Sequence, residues 1–163
     1  MDISEYNIED LLTSAIKSEA EAREVYSNIS RNVKNAFLKE RMDFLASEEK
    51  KHKEFLEKLW HKKFPGVGVA LPETSPVPMP AMKDWDENIP VSEVLTSAMA
   101  AETAASEFYA ALAERFEDKE SKDLLNYLSK MEKGHYRILE VERSNAEEFE
   151  DYDSMWPMMH AGP

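Results

Sequence analysis

One set of residue types returns at a fixed interval along this sequence. Glu19, Tyr26, Glu49 and His52 recur 83 positions later as Glu102, Tyr109, Glu132 and His135. Each half thus holds a lone Glu, a Tyr seven residues on, and a Glu-x-x-His. Glu and His at i, i+3 share one face of a helix, so both can reach one metal from a single element. Two such pairs, with one Glu from each of two further helices, form the ligand set of a two-metal carboxylate site within a four-helix bundle. In that arrangement Glu49 and Glu132 bridge the ions, Glu19 and Glu102 are terminal, and His52 and His135 complete one ion each. With bidentate terminal carboxylates each ion has about five protein bonds, so an octahedral ion keeps a position open to a small molecule such as dioxygen or peroxide.

Energetics point the same way. The four glutamates lie among apolar neighbours, where an ionised carboxylate is costly unless charge or hydrogen bonds compensate it. Leaving all four ionised and unpaired would exceed a domain's usual stability of about 5–15 kcal/mol. Two divalent ions balance four glutamates, and the imidazoles add neutral nitrogen donors. Two iron or two manganese ions suit these donors, and Zn can occupy them too. Tyr26 and Tyr109 have two compatible readings: core tyrosines whose hydroxyls need a partner, or donors to a ligand carboxylate on a facing helix. Glu48 has two as well, a solvated surface carboxylate or an orienter of a histidine from the other half. Gly134, costly inside a helix, is expected to permit a close helix approach beside the site. His61 and His160 fall outside the pattern and are expected at the surface.

The residues that must position this set read as four long helices. The stripe Ile8, Leu11, Leu12, Ala15, Glu19, Ala22, Tyr26, Ile29 follows the helical period, with Asn7 as N-cap and the cluster Asn28–Asn35 as turn. Leu38, Met42, Leu45, Glu49, His52, Leu56 and Leu59 make the second stripe. The third starts near Pro90 and runs from Val91 through Val94, Leu95, Ala98, Glu102, Ala105, Tyr109 and Leu112 to Phe116. Asp118 caps the fourth, whose stripe is Leu125, Leu128, Glu132, His135 and Leu139. Residues 8–26 and 91–109 share eight identities in 19 positions, which marks a duplicated hairpin. Between the halves, residues 65–90 hold six of the eight prolines and cannot be regular helix. An extended Pro-rich segment can run the length of a bundle, and one long crossover after the second helix is ferritin-like connectivity. The expectation is an all-α fold in one domain, 1–163, a ferritin-like four-helix bundle. Its parts are hairpin 1 at about 7–62, a crossover at 63–89, hairpin 2 at about 90–148, and a tail at 149–163 that covers the bundle or is disordered.

Composition narrows the function. The chain has 163 residues and no cysteine, which removes disulfides, thiol catalysis and cysteine-held iron centres. A net charge of −13 argues against nucleic acid and anionic membranes as partners. The acidic, polar start MDISEYNIED reads as neither signal nor transit peptide, so cytoplasm is the expected compartment.

The paired E-x6-Y and E-x2-H on a duplicated hairpin resemble the rubrerythrin-like branch of the ferritin-like superfamily, over roughly residues 5–148. The resemblance implies a non-haem di-iron protein that reduces hydrogen peroxide to water, frequently as a dimer with swapped hairpins. It implies Glu19, Glu49, His52, Glu102, Glu132 and His135 as iron ligands, with Tyr26 and Tyr109 hydrogen-bonded behind them. Two departures stand out. A rubredoxin-type centre needs four cysteines, which this chain lacks, so electrons must come from an external donor protein. The additional Glu that rubrerythrins carry one turn after the third helix's ligand is here Ala105. The leading expectation is a di-iron oxidoreductase acting on peroxide or dioxygen. The alternatives are a ferroxidase or an iron storage or delivery protein, and a helical interaction module whose metals serve folding.

Overall fold

The computed structural model describes residues 1–86 and 88–155, the side chains of 151–155 excepted. Its four helices are α1 (Ile8–Asn32), α2 (Ala36–Lys63), α3 (Val91–Ala113) and α4 (Lys119–Met155), and no strand occurs among the described residues. The helix starts follow local chemistry. The Asn7 side chain accepts from the Asp10 amide, and Asn35 accepts from Phe37 and Leu38. Asp118 accepts from the Ser121 amide at 3.0 Å. Each satisfies donors that a helix leaves unpaired in its first turn. α1 continues through the asparagine cluster to Asn32, so the first turn is only Val33–Asn35. α2 ends where Pro65 would need an amide it lacks, and Gly66 then turns the chain with φ +79°.

α4 departs most from expectation. It runs through residues 149–155, placed in a tail by their acidity, to Met155. The segment from Glu147 to Met155 contains no glycine, and no proline interrupts it before Pro157. Its last turns have work to do: Glu150 accepts from the Ser92 amide at 3.1 Å and from the Ser92 hydroxyl. That caps α3, whose own N-cap residue, Pro90, has no side-chain donor or acceptor. The remainder of the expected tail, including His160, lies outside the described residues.

The interior is two apolar clusters with a polar layer between them. One joins Leu11, Leu12 and Ile16 of α1 to Leu56 and Trp60 of α2, Phe108 and Leu112 of α3, and Leu125 and Leu128 of α4. The other joins Val25 and Ile29, Met42 and Leu45, Val94 and Leu95, and Leu139. α1 and α4 start at the first cluster while α2 and α3 end there, so the helices run up, down, down, up. α2 therefore finishes at the opposite end from where α3 begins. The crossover climbs between them. Val77 is buried in the first cluster, and Met82, Trp85 and Ile89 pack on the second. Its backbone amides fasten it to α1 and α3, Val77 N–H to Ser14 Oγ at 3.4 Å and Lys83 N–H to Ser97 Oγ at 2.9 Å.

Candidate metal centre

The polar layer is made of the six expected residues. Glu19, Glu49, His52, Glu102, Glu132 and His135 all converge there, and none is more than 3% exposed. α1 and α3 each contribute one Glu, and α2 and α4 each a Glu–His pair. The apolar clusters above and below hold the four helices at one spacing, so these side chains meet without any loop taking part.

The geometry has a two-fold pattern. His52 Nδ1 lies 2.9 Å from Glu132 Oε1, 3.2 Å from Glu49 Oε2 and 3.6 Å from Glu19 Oε2. His135 Nδ1 lies 3.0 Å from Glu49 Oε1, 3.0 Å from Glu132 Oε2 and 3.8 Å from Glu102 Oε2. Glu49 and Glu132 thus present one oxygen to each imidazole. The two rings stack with centroids 5.2 Å apart. Glu49, His52, Glu132 and His135 each offer an atom within 4.8 Å of all the others, the spacing of a metal-binding group.

These contacts are close without being hydrogen bonds. Both nitrogens of His52 and of His135, Glu49 Oε1 and both Glu132 oxygens are buried and lack a hydrogen-bond partner. Orphaned polar atoms in a protein interior are costly. Donors aimed at a common ion, instead of at one another, leave this signature. Adjacent donors about 2.1 Å from an octahedral ion stand about 3.0 Å apart, close to the shorter separations here. The residues fit a pair of metal ions.

Protonation in the metal-free site follows from the same crowding. Burial, with the charges of Glu49 and Glu132, raises the pKa of Glu19 and of Glu102 well above the carboxylate range. Burial also works to raise Glu49, but the imidazoles of His135 and His52 outweigh it and hold Glu49 low. Glu132, pushed up by burial and by Glu49, is likewise brought low by both imidazoles. Burial disfavours a charged His52, yet the carboxylates of Glu132, Glu19 and Glu49 raise it to about 12. His135 is raised in the same way against burial by Glu102, Glu132 and Glu49.

The tyrosines reach across the bundle as the facing-helix reading requires. Tyr26 donates to Glu102 and Tyr109 to Glu19, both buried. Burial, followed by the facing carboxylate, raises both phenols well above their ordinary value, so each stays a donor at neutral pH.

Glu48 and Gly134 take no part in the site. Glu48 pairs with Lys51 on its own helix and orients no histidine. Gly134 makes no close approach, because a Cβ there would meet nothing within 4 Å. His61 is exposed, as expected. Sequence reasoning missed Ser18, Ala22, Ala101 and Met82, which border a small cavity beside the four glutamates. Ser18 with Ala101 and Ala22 with Ala105 stand at the duplication interval, which was the available signal.

A rubrerythrin family model matches residues 10–142. This chain belongs to the rubrerythrin family. A solved structure of a hypothetical protein from Pyrococcus furiosus shares 36% identity with this family member, over 91% of this chain and 95% of that one, with a TM-score of 0.80. No curated protein matches. Among the described residues no helix is long and apolar enough to cross a membrane.

Proposed function

We propose that this rubrerythrin-family protein is a di-iron oxidoreductase that reduces hydrogen peroxide to water with electrons from a separate donor protein. The observation that carries the reading is the sharing of Glu49 and Glu132 between two imidazole-centred halves. It implies two ions close enough to act on one molecule. Glu49 and Glu132 would bridge, Glu19 with His52 would hold one ion, and Glu102 with His135 the other. A pair of iron(II) ions bound here would supply two electrons together, which with two protons from solvent is what peroxide needs to become two waters without releasing a one-electron radical. The chain supplies position and environment. Tyr26 and Tyr109 fix Glu102 and Glu19 by donating to them, and the apolar clusters close the site above and below. With no cysteine in the chain, nothing here can form a rubredoxin-type centre, so a separate rubredoxin-like donor is part of the proposal. So is a homodimer with exchanged hairpins, since residues 65–90 are long enough for each hairpin to pack on its own chain's other hairpin or on that of a second copy.

Stopped-flow mixing of iron(II)-loaded protein with hydrogen peroxide tests the activity. About two irons should be oxidised per peroxide. Oxidation much faster by dioxygen than by peroxide would favour a ferroxidase, and no reaction with either would leave the metals a folding role. Sedimentation equilibrium showing a monomer at micromolar concentration would remove the exchanged dimer.

A further inference from the structure

The four glutamates border a cavity of about 10 Å³ between α1 and α3. Its walls are Ser18, Glu19, Ala22 and Glu49 from the first half, with Ala101, Glu102, Ala105 and Glu132 from the second. Every wall residue has its counterpart 83 positions away. The cavity therefore sits on the local two-fold of the duplication and meets both halves of the metal site equally. Four of the eight walls are Ser or Ala, so the space exists because short side chains stand beside the carboxylates. Such a volume holds about one water-sized molecule. Neither histidine lines it, so it lies on the carboxylate face, away from the imidazoles.

One lining residue has no counterpart. Met82 comes from the crossover, the element that was not duplicated, and it is half-buried against the second apolar cluster. A larger groove of about 540 Å³ between α3 and α4 also reaches Glu102 and Glu132. That groove touches neither Glu19 nor Glu49 and so addresses the site from one half only. A molecule that must take electrons from both ions is better served by the cavity on the axis.

We infer that Met82 is a specificity-determining roof over this cavity, through which a small oxidant reaches the paired site and bulky hydroperoxides are kept out. The inference rests on the di-iron peroxide reading above and names the route and the size limit for that substrate. The thioether is flexible enough to swing aside for a molecule of two heavy atoms. Its packing on the second cluster limits how far it can move, and so limits the size of what passes.

The test uses the full chain loaded with iron(III) and follows azide association by absorption, a readout that needs no turnover. Met82→Ala should speed azide association and Met82→Trp should slow it, each by about tenfold, the low end of what a methylene-scale steric change supplies. Met82→Leu, which keeps the bulk without the sulfur, should stay within about twofold of the parent and shows that the roof itself still packs. With iron(II)-loaded protein, Met82→Ala should also narrow the preference for hydrogen peroxide over tert-butyl hydroperoxide by about tenfold. Azide rates unchanged in both Met82→Ala and Met82→Trp overturn the inference. So does a blockade produced instead by Thr103→Trp, at an exposed position of the α3–α4 groove. If azide obeys the roof but hydrogen peroxide does not oxidise the iron(II) protein, the peroxide reading fails while the roof stands.

Discussion

Loading the metal-free protein with two divalent ions should release about four protons at neutral pH. The count comes from the site. Glu19 and Glu102 are raised well above the carboxylate range by burial and by the charges of Glu49 and Glu132, which favours their protonated forms. His52, at about 12, and His135, also strongly raised, are imidazolium. Glu49 and Glu132, held low by the imidazoles against the effect of burial, are already ionised. The metal-free layer is then neutral, two carboxylates facing two imidazoliums, and the metal-loaded layer is neutral again, four carboxylates facing two dications. Ligation needs every donor deprotonated, so four protons leave as two ions enter. The constant for loading both ions should therefore rise about 10⁴-fold per pH unit near neutrality. Manganese(II) titrations by calorimetry, repeated in buffers of different ionisation enthalpy, count the protons directly. Glu19→Gln, which removes one of them, should lower the count by about one. Release of about two protons or fewer, or a count that Glu19→Gln does not change, would refute the reasoning that the buried layer stays neutral.

Three further outcomes follow from the same geometry. Glu49→Ala or Glu132→Ala should lower occupancy at both ions, whereas His52→Ala should reduce bound metal from about two per chain to about one, read by elemental analysis; two independent single-metal sites would rule out bridging. Metal-free protein should melt at lower temperature as pH rises from about 5 to 8. The sign follows because the raised Glu19 and Glu102 bind protons more tightly folded than unfolded above the ordinary carboxylate pKa. The raised His52 and His135 do so above the ordinary imidazole pKa, and a calorimetric Tm that climbs over this range would contradict it. Tyr26→Phe should destabilise the fold by about 1–3 kcal/mol in urea melts, because a buried acceptor on Glu102 loses its donor; a loss below about 0.5 kcal/mol would show that this bond contributes little.

The convergent Glu–His layer was legible because its requirements are periodic. Glu49 and His52 had to share a helix face, Glu19 and Glu102 had to lie on apolar stripes, and a common 83-residue interval tied the halves together. The register showed only that any carboxylate partner of Tyr26 or Tyr109 lies across the bundle, since two turns separate each from its own helix's glutamate; the structure identifies Glu102 and Glu19. What escaped depends on contacts between elements. The end of α4 is set by Glu150 capping Ser92 of α3, a pairing 58 residues apart that no local signal announces. Acidity was mistaken for a tail because charge alone does not stop a helix; proline does. Gly134 reads as a close-approach residue in any helix, yet here it faces open space. Met82 belongs to an aperiodic segment, where side-chain direction depends on how the crossover lies over α1 and α3.

The central claim is that the two halves build one shared two-metal site. Anomalous diffraction at the iron edge from crystals of the iron-loaded protein tests it most directly. The account predicts two peaks about 3.5–4 Å apart between His52 and His135, with Glu49 and Glu132 spanning them and Glu19 and Glu102 at either side. Two peaks far apart, one within each hairpin, or a single peak that leaves His52 or His135 without a metal, would contradict it.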